Sequence, residues 1–224
     1  MAALTRFQLT APRPLALGLA LALAVSGCTN PFKPATPAPP NAQGLRADYS
    51  NPEKVVQTLA AAMAYKASGA TAWMDAMALA SGPFGEFVAL QDPVVLDKWR
   101  ISSQVAPPNP WGVEVERTFF GYFVQTVFPQ YPFTMQFEHD NNSIDDVIDE
   151  ASGTASLHKR YYIAATLPDQ STQIVAIGYV DFLMRKYDGT WHIVVWQDRV
   201  DPGVGVNPTD QDYVTLGWRR LESR

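Results

Sequence analysis

Hydrophobic residues recur at helical spacing in the segment that follows residue 50. Residues 51–53, Asn-Pro-Glu, combine a favoured N-cap residue with a proline and an acid in the first turn, and an apolar stripe follows them as far as Gly69. A second stripe predicts a helix from Thr71 to Gly82, and a phenylalanine-rich stripe predicts a helix that ends at Pro129. Such stripes are typical of helices that bury one face, so we interpret the aromatic stripe as core rather than as a ligand site.

From Pro132 onward the hydrophobic period changes to strict alternation. Residues 133–138 alternate apolar with polar side chains, which predicts a half-buried strand. Three longer segments, residues 156–167, 173–187 and 190–198, predict further strands, and the Asp-Gly pair between the last two favours a two-residue hairpin turn. Helices followed by hairpin-linked strands predict an α+β fold in which N-terminal helices pack on an antiparallel sheet.

The predicted hairpins decide which strand residues share a face, because neighbours across a ladder point to the same side. A two-residue turn at residues 188–189 sets Phe182 opposite Val195. A loop over residues 168–172 sets His158 opposite Phe182. The face predicted to pack on the helices contains His158, Arg160, Tyr162, Val180, Phe182, Met184, Trp191, Ile193, Val195 and Gln197. The opposite face, predicted to meet solvent or a partner, contains Lys159, Tyr161, Tyr179, Asp181, Arg185, His192, Trp196 and Asp198.

Four polar side chains on the predicted core face form a candidate pocket: His158, Arg160, Tyr162 and Gln197. A histidine exchanges protons near neutral pH, an arginine holds a carboxylate or enolate, and a tyrosine donates to a developing oxyanion. The alternative is structural, with His158 and Arg160 satisfying backbone groups or loop acids at the rim. The predicted register places no carboxylate on this face, and Asp75 and Asp97 are the helix residues able to supply one. No serine has a nucleophile-elbow pattern around it, so catalytic residues stay unassigned.

The N-terminus has the layout of a bacterial lipoprotein signal. Sparse positive charge precedes an apolar run over residues 15–25, and small residues lead to Cys28, the only cysteine. The run is shorter than the roughly 20 apolar residues that span a bilayer. We therefore expect residues 1–27 to be a signal peptide and Cys28 to be acylated, with palmitate among the attached chains. The alternative is an incidental thiol in a secretory signal that is cleaved elsewhere.

The residues after Cys28 indicate where the protein lies. Asp in the next position is described as retaining lipoproteins in the inner membrane, so Thr29 favours the outer membrane of the cell envelope. Residues 28–47 hold five prolines among small and polar residues, which is typical of an extended tether. Residues 48–224 then remain as one domain.

Charge and composition limit the classes of partner that the protein is expected to bind. Removal of Arg6 and Arg13 with the signal lowers the formal net charge from −5 to about −7, which argues against nucleic acid and anionic headgroups as main partners. The expected partners are the membrane, through the lipid anchor, and a small apolar ligand or another envelope protein. The three histidines lack zinc-site spacing, and the acidic loop expected over residues 138–150 lacks the glycine and glutamate of a calcium loop. We predict no metal and no cofactor.

Three motifs together resemble a known superfamily. They are the Asn-Pro-Glu opening, the segment Trp111-Gly112 with Glu114 and Glu116, and the ending Trp191-x-Ile193-x-x-Trp196-x-Asp198. They look like the nuclear transport factor two-like superfamily, in particular its poorly characterised bacterial lipoprotein members and its SnoaL-like group, over residues 50–221. The resemblance implies a cone, in which a strongly curved sheet wraps around helices and leaves a pocket between them. Superfamily members include isomerases, dehydratases, hydrolases and proteins without catalysis, so the fold leaves function open.

We therefore expect an envelope lipoprotein whose domain has a binding or structural role, with no reaction assigned. The alternative is a cofactor-independent isomerase, cyclase or dehydratase that uses general acid–base chemistry. A carboxylate converging with His158 or Tyr162 in a pocket would favour the enzyme. An interior filled by Trp191, Phe182 and Phe123 would favour binding or scaffolding.

Overall fold

The computed structural model describes residues 45–78, 82–83, 85–103, 106–107, 111–127, 129–141, 143–202 and 214–223. The predicted signal peptide, Cys28, Thr29 and the tether up to residue 44 lie outside these residues. Leu45 and Ala47, at the end of the segment predicted as tether, are partly buried against the core. None of the helices described is long and apolar enough to cross a membrane.

Five α-helices are described. They are α1 (Pro52–Tyr65), α2 (Ala70–Asp75), α3 (Pro93–Ser103), α4 (Val113–Thr126) and α5 (Leu216–Glu222), with a 3-10 turn (Lys66–Gly69) joining the first two. The first begins as predicted, because the Asn51 side chain accepts a hydrogen bond of 2.9 Å from the backbone N–H of Glu53. The second ends at Asp75, earlier than the predicted Gly82.

The sequence patterns do not predict α3 or α5. In α3 only Val95 is fully buried, while Leu96 and Trp99 are partly buried against the core, so its apolar stripe is short. In α5 the buried residues include Arg220 and nearly surround the short helix. Amphipathic periodicity therefore does not predict either helix. In α3 too few residues are buried, and in α5 one of the buried residues is charged.

The strands are β1 (Val88–Leu90), β2 (Phe133–His139), β3 (Val147–Asp149), β4 (Thr154–Thr166), β5 (Thr172–Tyr187) and β6 (Thr190–Arg199). They form one curved, open sheet in the order β1-β6-β5-β4-β2, with β3 beside β4. The α+β prediction is confirmed. The sheet is mixed rather than purely antiparallel, because β1 runs parallel to β6. Part of the expected acidic loop, residues 147–149, forms the unpredicted β3.

A β-bulge in β6 reverses the predicted faces at the end of that strand. Met184 pairs with Ile193 as predicted, but Leu183 pairs with Val195, which leaves Val194 as the extra residue. One extra residue turns the rest of the strand over, because side chains alternate between faces. The prediction is therefore wrong for the end of β6, where the residues turned toward the helices are Trp196 and Asp198 and the residue turned away is Gln197.

A second bulge has the same effect between β4 and β5. Ala164 pairs with Ile174 and Ile163 pairs with Ala176, so Val175 is the extra residue. His158 consequently pairs with Asp181 instead of Phe182. The prediction is wrong for β4, where Lys159 and Tyr161 are buried while His158, Arg160 and Tyr162 lie on the other face. The face prediction for β5 holds, with Phe182 inward and Asp181 outward.

The inner face of the sheet and the helices enclose an aromatic core. The Trp73 ring, from α2, lies 4.9 Å from Phe120 of α4 and 5.7 Å from Trp196 of β6, measured between centroids. Phe182 meets Trp196 edge to face at 4.8 Å. Aromatic pairs at these distances add to the stabilisation from burial, so they fix the helices on the inner face.

Candidate functional site

The four predicted pocket residues lie on the face of the sheet that is turned away from the helices, which we call the outer face. Its central residues are Ser156, His158, Arg160 and Tyr162 on β4, Tyr179, Asp181 and Leu183 on β5, and Gln197 and Arg199 on β6. The prediction that His158, Arg160, Tyr162 and Gln197 point into the core is wrong, and the two bulges are the cause.

His158 is the centre of a hydrogen-bonded cluster on the outer face. Its Nδ1 lies 2.7 Å from Asp181 Oδ1, and its Nε2 lies 3.2 Å from Ser156 Oγ. The backbone N–H of His158 donates to Asp146 Oδ1 at 2.6 Å. Asp181 is held from the other side by Arg199, whose Nη2 lies 2.8 Å from the same oxygen. A carboxylate therefore does converge with His158, on the outer face.

The other predicted residues bind separate partners. The Arg160 guanidinium pairs with Asp201, with its Nη2 at 2.9 Å from Oδ2. The Tyr162 hydroxyl donates to the side chain of Gln136 on β2. Gln197 is exposed and pairs in register with Asp181. The four residues share one face but do not converge on one point.

The helices do not supply the expected pocket carboxylate either. The backbone carbonyl of Asp75 lies 3.0 Å from His192 Nδ1, at the end of α2. Asp97 on α3 is exposed and lies 3.4 Å from Arg100.

A buried ion pair occupies the inner side instead. Glu116 of α4 and Arg220 of α5 are both fully buried, and they meet through two hydrogen bonds of 2.8 and 3.0 Å. The indole N–H groups of Trp73 and Trp111 also donate to the Glu116 carboxylate, at 3.3 and 3.0 Å. The Arg220 guanidinium stacks 4.4 Å from the Trp196 ring. The pair is thus compensated for the loss of water by hydrogen bonds and ring contacts.

A second buried carboxylate lies at the start of α5. Asp198 accepts hydrogen bonds of 2.7 Å from the Tyr161 hydroxyl and from the backbone N–H of Gly217. Burial raises the pKa of Asp198 to about 6, against the lowering effects of Arg220 and of these hydrogen bonds. Burial also raises the pKa of Tyr161, so the phenol stays protonated and donates.

These inner residues were missed for identifiable reasons. Glu116 lies three and four positions before Phe119 and Phe120, on the stripe predicted to face the core, so its helical position was a readable signal. The sequence predicts Asp198 on the face turned away from the helices, because no sequence pattern indicates the bulge at Val194.

Large aromatic side chains of the inner side belong to the hydrophobic core. Phe123, Phe182 and Trp191 are fully buried in one core cluster. An open depression of about 400 Å³ lies elsewhere, beside the start of α4, and is lined by Glu114, Val115, Thr118 and Ser223. In the described parts of the chain, no group of three or more histidine, cysteine or acidic residues could hold a metal ion.

No protein-family model and no curated protein sequence matches the chain. Similar solved structures include a protein of unknown function from Mycobacterium tuberculosis, with 12% identity, a TM-score of 0.49, and coverage of 76% of this chain and 82% of that one. A protein with a cystatin-like fold from Nostoc punctiforme has 12% identity, a TM-score of 0.41 and coverage of 67% and 88%. A proposed scytalone dehydratase from Novosphingobium aromaticivorans has 9% identity, a TM-score of 0.44 and coverage of 66% and 80%. The α+β assignment rests on the helices and the sheet topology of the chain itself.

Proposed function

We propose that this protein is a lipid-anchored binding domain of the cell envelope, which binds another envelope protein through its outer face. The observation that carries the proposal is the exposure of apolar side chains on the outer face, Leu183 and Val147, while Phe182 of the inner face is buried in the core. The lipobox that ends at Cys28 supports the anchor, and Thr29 favours the outer membrane.

The outer face has the composition of a protein-binding surface. Leu183 is 40% exposed in its centre, and Val147 is 56% exposed on the neighbouring β3. Asp181, which pairs with Arg199, lies in the next row of the same face, and Arg160, which pairs with Asp201, lies in the row after that. Exposed apolar residues beside arginines are the mixture that interfaces favour, and the acidic charge of the domain argues against nucleic acid.

Site-specific photocrosslinking tests the proposal. A photoreactive amino acid replaces Leu183 in the full-length protein, which is irradiated in its native cells. We expect one discrete heavier adduct. The matched control replaces Ile101, which is 81% exposed on α3, and should give none. Equal adducts from both positions, or none from residue 183, would contradict binding through the outer face.

A second candidate function is general acid–base catalysis on the inner side, and Asp198 is the observation that favours it. A carboxyl with a pKa of about 6 next to a protonated phenol is a usable proton acceptor at neutral pH. Asp198 is fully buried, however, so a substrate would have to displace the start of α5 to reach it. Native mass spectrometry of the purified protein distinguishes the binding function from the catalytic function. A small molecule that is bound by the wild type and lost in Asp198→Asn would favour catalysis.

A further inference from the structure

Ser156, His158 and Asp181 form a line of hydrogen-bonded groups on the outer face. Ser156 Oγ lies 3.2 Å from His158 Nε2, and His158 Nδ1 lies 2.7 Å from Asp181 Oδ1. Ser156 and His158 are two residues apart on β4, so they share a face, and Asp181 pairs with His158 across the ladder. This order, hydroxyl to Nε2 and Nδ1 to carboxylate, is the geometry by which an acylating serine is recognised regardless of fold.

The surroundings fix the histidine in the tautomer that such chemistry needs. Asp181 is an acceptor, so His158 Nδ1 carries the proton and Nε2 presents its lone pair to the serine hydroxyl. Arg199 donates one hydrogen bond to Asp181, from Nη2 to Oδ1 at 2.8 Å, and its Nε lies at an ion-pair distance of 2.7 Å from Oδ2. His158 itself is only 8% exposed, and Asp146 holds its backbone N–H.

Apolar side chains lie on both sides of Ser156 along the same row of the sheet. Ser156 pairs with Leu183 of β5 on one side and with Val147 of β3 on the other. Both are substantially exposed, at 40% and 56%. An acyl chain that lies along this row would cover them and place its carbonyl over the serine hydroxyl.

We propose that Ser156 is a nucleophile that accepts the acyl group of an ester with an apolar acyl chain. Ser156 Oγ bonds to the ester carbonyl carbon while His158 Nε2 takes the hydroxyl proton. The bond from that carbon to the alkoxy oxygen breaks, and the proton on Nε2 passes to the departing oxygen, which releases an alcohol. Water then adds to the acyl carbon and gives a proton to Nε2, the bond to Oγ breaks, Oγ regains the proton, and a carboxylic acid leaves. Asp181 acts as a positioning residue.

The test uses the full-length protein purified from membranes in detergent. We expect a fluorophosphonate probe to form one adduct, mapped to Ser156 by peptide mass spectrometry, and we expect p-nitrophenyl butyrate to release p-nitrophenol. Ser156→Ala should abolish both signals, and His158→Gln should lower the rate of labelling at least ~100-fold. The matched control is Ser152→Ala, since Ser152 is an exposed serine whose hydroxyl lies 2.9 Å from the nearby Thr154 hydroxyl, and it should behave as the wild type.

An absence of adduct on Ser156, or labelling of His158→Gln at the wild-type rate, would overturn the proposal. Labelling without release of p-nitrophenol would overturn the ester assignment. If His158→Gln loses its cooperative unfolding transition, Asp181→Asn decides, because Asp181 is partly exposed and its loss should also slow labelling at least ~100-fold. The crosslink from residue 183 should persist in Ser156→Ala, so failure of this proposal is distinguishable from failure of the binding proposal.

Discussion

Asp198 shows how a single buried carboxylate couples the sheet to the last helix. Its two oxygens bind the Tyr161 hydroxyl on β4 and the Gly217 backbone N–H on α5. The Tyr161 hydroxyl in turn accepts from the backbone N–H of Leu216 at 2.8 Å. Two of the free N–H groups in the first turn of α5, those of Leu216 and Gly217, are thus satisfied by residues from the sheet, as the start of a buried helix requires. The arrangement has a free-energy cost, because this carboxyl group must ionise where it is buried away from water.

That cost predicts a pH-dependent stability. The pKa of Asp198 is raised from 3.8 to about 6 in the folded protein, so its contribution is full below pH 4 and is lost as pH rises through 6. A shift of this size corresponds to about 3 kcal/mol. We expect Asp198→Asn to gain stability relative to the wild type as pH rises. Its free energy of unfolding, minus that of the wild type, should increase by up to about 3 kcal/mol between pH 4 and pH 7.5, as measured by urea unfolding. An effect of the amide in Asp198→Asn on stability that does not depend on pH cancels, because only the change between the two pH values is compared.

Asp146 provides a control of opposite sign. Burial raises the pKa of Asp146, but its hydrogen bonds to Lys159 and to the His158 backbone N–H outweigh burial and leave the pKa lowered. Its contribution is therefore present at neutral pH and lost in acid. Asp146→Asn should lose stability relative to wild type as pH rises toward 3.8 from more acidic values and should show no further change above it, so a gain like that of Asp198→Asn would contradict the assignment.

At the scale of elements, the two bulges decide which chemistry faces the core. The start of α1, the strand periods and the 188–189 turn were predictable because they depend on neighbouring residues. The bulges at Val175 and Val194 depend on how the sheet curves over the helices, and they leave no local pattern. The α+β class was therefore predictable from the sequence, whereas the faces of β4 and of the end of β6 were not. The candidate residue His158 was found, although its position and its partners Ser156 and Asp181 were not.

Neighbouring residues on β5 test the observed faces. Phe182 is fully buried against Trp196, whereas Leu183 is 40% exposed. We expect Phe182→Ala to lower the free energy of unfolding by about 3 to 5 kcal/mol, as large-to-small core changes do. Leu183→Ala, the matched control, should cost less than about 1 kcal/mol. Denaturant titration of both variants measures the difference, and a larger loss for Leu183→Ala would mean that β5 presents the other face to the helices.

At the scale of the whole molecule, the chemistry divides between the two faces of the sheet. The inner face packs on the helices through aromatic side chains, and the buried Glu116–Arg220 pair joins α4 to α5, so the polar groups on this side stabilise the fold. The outer face holds the paired but solvent-accessible groups, of which Asp181 and Arg199 are examples. The binding proposal uses this division, because a rigid interior would keep a recognition surface on the outer face in one shape.

The anchor itself is the last prediction, and it depends on the lipobox that ends at Cys28. Cys28→Ser removes the thiol that carries the acyl chains, so we expect a protein without palmitate that no longer partitions into detergent. The control, Ser26→Ala, keeps a small residue before the cleavage site and should be acylated as the wild type is. Metabolic labelling with palmitate and detergent partitioning measure the outcome. The thermal unfolding midpoint of Cys28→Ser should match that of the wild type, since two lipid chains act on membrane binding and not on the domain that follows the tether. Undiminished palmitate incorporation in Cys28→Ser would show that the protein is held at the membrane in another way.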